Sequence, residues 1–240
     1  MEHDHSPEAI RRRLSAGPAK SYLRDFVYGG IDGAVTTFAV VSGVAGADLS
    51  SAVILILGFA NLLGDGFSMA AGNYSATRAE QDELEHWRAV EQKHIKLEPG
   101  GEREEIRQIF AAKGFAGDDL ERAVDVITAD RDRWVRTMLT EEYGLPLEVR
   151  SPLLAAVATF AAFVICGTIP LLPFVLGFGT RAFQSSLAAT AVVFLLIGSA
   201  KSRWSVVPWW RSGLETLAVG SGAAGLAYFV GWIVGDIVRS

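Results

Sequence analysis

At 240 residues, half of them hydrophobic, with 25 glycines and a positive mean hydropathy, the chain is too apolar for an ordinary soluble domain. The formal net charge of −5 disfavours nucleic acid and favours cations as partners. Cys166 is the single cysteine, which excludes an internal disulfide and a cysteine metal cage and leaves packing as its expected role.

Residues 1–23 are charged and contain no compact apolar run with a cleavage site, so no removable signal peptide is expected. Beyond them lie five apolar segments, Phe26–Ala47, Ala52–Ser75, Leu153–Phe174, Ser185–Ala200 and Gly213–Val238. Asp32, Asp65, Glu215 and Asp236 are their only charged side chains. Roughly 20 apolar residues cross a hydrocarbon core, so all five are predicted to span a membrane. Charge is concentrated in one insertion between the second and third spans: Thr77–Glu148 holds 18 acidic and 11 basic side chains. The predicted divisions are an N-terminal segment 1–23, spans one and two in 24–76, the insertion in 77–149 and spans three to five in 150–240. The fold class is all-α, with five transmembrane helices and a cytoplasmic three-helix insertion.

Basic residues set the orientation. Arg11, Arg12, Arg13, Lys20 and Arg24 precede the first span, the link Asp48–Ser51 has none, and the insertion has 11. Arg181 alone follows the third span, and Lys201, Arg203 and Arg211 follow the fourth. The positive-inside rule therefore places the N-terminus and insertion in the cytoplasm and the C-terminus outside. Either a cell membrane or a vacuole-type membrane fits that arrangement.

In the first span Asp25 and Asp32 are two helical turns apart and share a face, with Thr36 a turn further on. A carboxylate at the centre of a membrane helix costs about 2.5–3.5 kcal/mol to insert, so Asp32 is expected to face a cavity, a partner or an ion path, or else to cap a break beside Gly29, Gly30 and Gly33. Asp25, nearer the boundary, is open to either role. In the second span Asn61, Asp65, Met69 and Asn73 recur every four residues and form a polar stripe that needs something polar opposite it. Met69 alone would read as core filler, but a thioether between carboxylate and amide suits a borderline transition ion. Glycines crowd both spans, and small residues predict that these helices pack on each other or on a second copy.

No proline interrupts Ala52–Leu97, so the second span is predicted to continue into the insertion as one helix until Glu98-Pro99-Gly100-Gly101. A second helix is expected from about Glu102 to Lys113. A third is expected from about Asp118 to Gly144, and with few large apolar residues the three helices should need a partner, a second subunit being the economical one. Glu91 with His94, Glu102 with Glu105, and Met138 with Glu142 are spaced three or four apart, so each pair shares a helix face and can grip one cation. A solvated face is the alternative for each pair.

YGGIDGAVTTFAVVSG (Tyr28–Gly43), ANLLGDGFSMAAGNY (Ala60–Tyr74), the acidic helical insertion and TMLTEEYGL (Thr137–Leu145) together resemble the vacuolar iron transporter family, from Tyr22 to Val238. The resemblance implies a five-span homodimer that exchanges cytosolic Fe²⁺ for protons, a secondary antiporter rather than an enzyme and without a prosthetic group. It implies a path lined by Asp32 and Met69 at the dimer interface, and cytoplasmic ligands at Glu91, His94, Glu102, Glu105, Met138 and Glu142. The sequence departs from the family pattern at His94, Leu139 and Leu145, and at Asn61, for which Asp65 is a candidate replacement. An imidazole among the carboxylates makes Zn²⁺, Co²⁺ or Ni²⁺ more plausible beside Fe²⁺ and Mn²⁺.

The expected function is proton-coupled export of Fe²⁺ from the cytosol. Carboxylates serve as metal ligands and as proton carriers, and no GxxxxGK[ST] loop is present to couple transport to ATP. The alternative is a membrane-anchored ferritin-like di-iron oxidase, since Glu83–His86 and Glu91–His94 both match Glu-x-x-His. That fold needs the motifs on two helices, and here one helix carries both. A plain protein-docking module on a membrane anchor leaves Asp32, Asp65 and Met69 unexplained.

Overall fold

The computed structural model describes residues 4–16, 21–204 and 206–239; Lys20, one of the residues used for orientation, lies outside them. All regular structure among these residues is helical. The helices are α1 (Pro7–Ala16), α2 (Leu23–Gly46), α3 (Ser51–Leu97), α4 (Pro99–Ala112), α5 (Gly117–Thr128), α6 (Arg131–Glu141), α7 (Pro152–Thr168), α8 (Leu172–Val175), α9 (Ala182–Lys201) and α10 (Trp209–Arg239). Five stretches, within α2, α3, Pro152–Val175, Gly179–Lys201 and α10, are long and apolar enough to cross a membrane. The chain divides into two compact units, one of residues up to Tyr74 with Leu153 onwards, the other Ser75–Pro152.

In the first unit, glycines decide which helices meet. A Cβ on Gly29 would lie 2.4 Å from the Thr159 carbonyl oxygen, and one on Gly33 2.4 Å from that of Phe163, so α2 touches α7 backbone to backbone. Gly46 approaches Tyr228 and Gly231 approaches Gly43 in the same way, joining α2 to α10. This corrects the expectation that the glycines of the first span pack on the second span or on a second copy: α7 and α10 take up those surfaces within one chain. A Cβ added at Gly64 or Gly72 of α3 would meet no other element within 4 Å among the described residues. The apolar core between the spans is built from Val27, Ala34, Cys166, Val193, Phe194 and Ile197, with Phe38, Val41, Val44, Ile54, Leu171 and Ala224 further along.

Helix ends follow local chemistry. α2 ends at Gly46, and Asp48 takes φ +55°, a left-handed conformation that aspartate tolerates. Arg239 donates to the Ala47 carbonyl at 2.9 Å and pairs with Asp48 at 3.3 Å, placing a cation at the negative end of α2. Pro170 and Pro173 tighten the end of the third span into a 3₁₀ turn and the short α8.

In the second unit the long α3 ends at Leu97 as predicted, and Pro99 starts α4 at a position where its missing N–H costs nothing. The predicted third helix is two. Asp130 adopts extended backbone and its carboxylate accepts from the Arg133 N–H at 2.7 Å, capping α6 and separating it from α5. The unit also has a core of its own, contrary to the expectation of a poor one. Ile106, Val124, Trp134 and Met138 are buried together against Ile95, Ile109, Phe110, Leu120 and Ile127, and Leu84, Val135 and Leu139 form a second cluster with Trp87 and Leu145. Breaking the third helix is what lets these scattered apolar residues converge.

Candidate metal-capture and transport sites

The first site lies in the second unit and is assembled from three helices. α3 carries Glu91 and His94 one turn apart near its end, the first turn of α4 carries Glu102, and Glu142 caps α6 with Tyr143 next in the chain. Glu91 is 1% exposed and Glu102 5% exposed, a degree of burial that carboxylates accept only with partners. His94 Nδ1 stands 3.4 Å from Glu102 Oε1 and 4.0 Å from Glu91 Oε1. Tyr143 donates its hydroxyl to Glu91 Oε1 at 2.9 Å. Among the described residues, Glu91 Oε2 and Glu102 Oε2 are both shut away from solvent and meet no hydrogen-bond donor.

That geometry has an electrostatic consequence. Burial, and then the negative charges of Glu91 and Glu105 beside it, push the Glu102 carboxyl from its ordinary 4.5 up to about 8. Glu142 is raised as well, by burial first and then by Glu105 and Glu91. Tyr143 is raised by burial and by the Glu91 carboxylate that accepts its proton. Raised to about 8, the Glu102 carboxyl keeps its proton at neutral pH. A cation arriving beside it would supply positive charge and favour loss of that proton.

Glu91, His94, Glu102, Glu105 and Glu142 are thus brought into one electrostatic neighbourhood. Glu105 and Glu142 are its exposed members, acting on Glu102 and on each other by charge. Met138 is fully buried in the apolar cluster with Ile106, Val124 and Trp134. Among the described residues, no three His, Cys, Asp or Glu side chains stand in a metal-binding geometry, so these groups are near one another without forming a closed cage. Leu139 and Leu145, the two departures from acidic or thioether character, pack with Leu84, Val135 and Trp87, which explains why an apolar residue suits both positions. Tyr143 was missed by sequence reasoning, although it directly follows Glu142 in TMLTEEYGL; an aromatic hydroxyl beside a candidate ligand was the available signal.

The second site lies among the spans. Asn73 Nδ2 donates to Asp25 Oδ1 at 3.0 Å, to Thr159 Oγ1 at 2.7 Å and to the Ala155 carbonyl at 3.3 Å, tying α3 to α2 and α7. Two turns along α2, Asp32 is half-buried and lies in the field of Asp65 of α3. The antiparallel register of α2 and α3 therefore matches Asp25 with Asn73 and Asp32 with Asp65. That match supplies the polar groups that the stripe on the second span demanded. Thr36 donates its hydroxyl to the Asp32 carbonyl at 2.9 Å, Met69 is half-buried one turn beyond Asp65, and Asn61 Nδ2 is buried with no hydrogen-bond partner among the described residues. Asp25 is buried and held in the hydrogen-bonded knot, and Asp65 is exposed.

The model of the VIT family matches residues 23–232, which takes in the first four spans, the insertion and most of the fifth span. The chain belongs to the VIT family. It is 32% identical to the "Vacuolar iron transporter" of Toxoplasma gondii over 92% of this chain and 76% of that protein. It is 29% identical to "Vacuolar iron transporter 1" of Arabidopsis thaliana over 96% and 91%, and 31% identical to the "Vacuolar iron transporter" of Centaurea cyanus over 86% and 85%. Membership and the five apolar helices together make this VIT-family chain a multi-pass membrane protein.

Proposed function

We propose that this protein is a secondary transporter that moves Fe²⁺ out of the cytosol in exchange for protons. Kinship with proteins named vacuolar iron transporters supports iron transport. The observation that carries the finer reading is the buried Glu91–Glu102 pair, with His94 at its edge and a proton retained near neutral pH. In this reading the insertion faces the cytosol and Glu91, His94 and Glu102, assisted by Glu105 and Glu142, capture the ion and release protons. Met138 contributes its sulfur only if α6 repacks, because in the fold described it is core. Asp32 and Met69 then line the membrane path, Asp65 carries protons beside them, and a homodimer covers the open face of α3 at Gly64 and Gly72.

His94 gives the capture site one imidazole among carboxylates, a donor set that suits Fe²⁺, Zn²⁺, Co²⁺ and Ni²⁺ and favours Mn²⁺ less. The di-iron oxidase is not favoured, because Glu83, His86, Glu91 and His94 all lie on α3. Uptake of Fe²⁺, Zn²⁺, Co²⁺ and Mn²⁺ into proteoliposomes, with and without a pH gradient, tests the proposal. Gradient-stimulated Fe²⁺ uptake is the expected result; uptake indifferent to the gradient removes the antiport, and oxidation without uptake restores the oxidase.

A further inference from the structure

Tyr143 is held from two sides. Its hydroxyl donates to Glu91 Oε1 at 2.9 Å, and its ring stacks on that of Trp87 with centroids 4.4 Å apart and planes 28° apart. Trp87 packs in turn against the cluster of Leu84, Val135 and Leu139, and precedes Glu91 by one turn of α3. The phenol is therefore placed by packing, independently of the bond it makes. Glu91 is buried, the phenol engages its Oε1, and among the described residues its Oε2 meets no hydrogen-bond donor. A carboxylate tied in this way offers an incoming ion one unengaged oxygen, the other having a lone pair committed to the phenol. Ca²⁺ gathers six to eight oxygens and often takes carboxylates through both, whereas smaller transition ions are satisfied with fewer, single-oxygen donors.

We propose that Tyr143 is a positioning residue that sets the ion preference of the capture site: by occupying Glu91 Oε1 it confines Glu91 to one-oxygen coordination through Oε2, favouring small transition ions over Ca²⁺. The proposal rests on the metal-capture reading of that site. Removing the hydroxyl frees the second oxygen and relaxes the carboxylate, which loosens the fit to a small ion and opens two-oxygen coordination to a large one.

The test uses the full chain in detergent, with Co²⁺ as an air-stable probe for Fe²⁺ and Ca²⁺ as the large competitor, on the parent, Tyr143→Phe and Glu91→Gln. Tyr143→Phe keeps the ring on Trp87; loss of such an outer-shell partner costs about tenfold or more in metal affinity. The expected result is Co²⁺ binding weakened about tenfold with Ca²⁺ binding unchanged or tightened, and an altered visible spectrum of bound Co²⁺. Parallel weakening of both ions shows a merely structural role and overturns the proposal, as does no change in either. If Tyr143→Phe unfolds, Trp87→Leu keeps the hydroxyl but removes its brace; a Co²⁺ to Ca²⁺ preference equal to the parent's then overturns the proposal. Co²⁺ binding that survives Glu91→Gln removes the capture site itself, and this proposal with it. Binding lost in Glu91→Gln beside an unaltered preference in Tyr143→Phe overturns the role of Tyr143 alone.

Discussion

His94 Nδ1 lies 3.4 Å from Glu102 Oε1, so a half-exposed imidazole closes the solvent side of a buried carboxyl. An imidazole adds affinity for Zn²⁺ and Co²⁺ and little for Mn²⁺, which is content with carboxylate and water. His94→Ala is expected to weaken Zn²⁺ and Co²⁺ binding about tenfold while Mn²⁺ changes less, and His94→Glu to shift preference toward Mn²⁺. Competition titrations on the full chain measure both shifts. Equal losses for all three ions would show that His94 acts by charge and not as a ligand.

Glu102 predicts a pH dependence with a definite sign. Its carboxyl keeps a proton up to about pH 8 when folded and loses it near 4.5 when unfolded, so between those values the folded chain binds more protons. Stability owed to this group is present in full below about pH 4.5 and declines as pH rises through 8. Glu142, raised in the same direction, adds to the decline. A captured cation displaces the Glu102 proton, so affinity for Co²⁺ should rise about tenfold per pH unit from 6 to 7, with one proton released. Calorimetry in buffers of different ionisation enthalpy counts that proton. Glu102→Gln should flatten the profile; equal parental affinity at pH 6 and pH 7 would show that no proton is displaced.

Much of this was legible in the sequence because its signals are one-dimensional. Segments of about 20 apolar residues announce spans, and Glu91 with His94 share a helix face whatever surrounds them. What was not legible depends on contacts between distant residues. That Gly29 and Gly33 meet the backbone of α7 at Thr159 and Phe163 cannot be read from α2 alone. The break between α5 and α6 had a local signal in Asp130, a good N-cap, but the helical charge pattern continued across it. Tyr143 acquired its place only when the end of α6 came beside Glu91. Met138 had ligand spacing with Glu142, and its burial beside Trp134 depended on the same folding of α6.

Asn73 predicts a structural effect among the spans. Its amide serves acceptors on α2 and α7, and a buried acceptor that loses its donor costs about 1–3 kcal/mol. Asn73→Leu fills similar volume and leaves Asp25 Oδ1 and Thr159 Oγ1 without that donor. The expected outcome is a lower melting temperature in detergent, with metal binding by the insertion retained. An unchanged melting temperature would mean that water or another group replaces the amide at no cost.

The glycines of α2 and α3 should separate in their response to added bulk. A Cβ at Gly33 collides with the backbone of Phe163, and backbone cannot step aside, so Gly33→Ala should impair folding of the protomer. Gly64 faces open space, so Gly64→Trp should leave the protomer folded. If the open face of α3 is the dimer interface, the same substitution should convert dimers to monomers. Light scattering coupled to size exclusion reads the mass, and a Gly64→Trp dimer as stable as the parent's would move the interface elsewhere.

Asp32 and Met69 make the sharpest test of the membrane path. Asp32→Asn keeps the shape of the side chain and the Thr36 bond to its main-chain carbonyl, while removing both the charge that offsets a cation and a group able to carry a proton. It should abolish Fe²⁺ uptake into proteoliposomes. Met69→Leu conserves volume and apolarity and deletes the sulfur, so uptake of borderline ions should fall several-fold while Mn²⁺ uptake, which gains little from a thioether, falls less. Melting temperature and dimer mass are measured beside uptake, because a misfolded variant also transports nothing. Asp65 lies close enough to Asp32 for their charges to interact, so Asp65→Asn should weaken the dependence of uptake on the pH gradient more than it weakens metal binding. Should folded Asp32→Asn and Met69→Leu proteins both carry Fe²⁺ at the parent rate, the ion does not pass these side chains. The polar match between α2 and α3 then serves only to hold the two spans together.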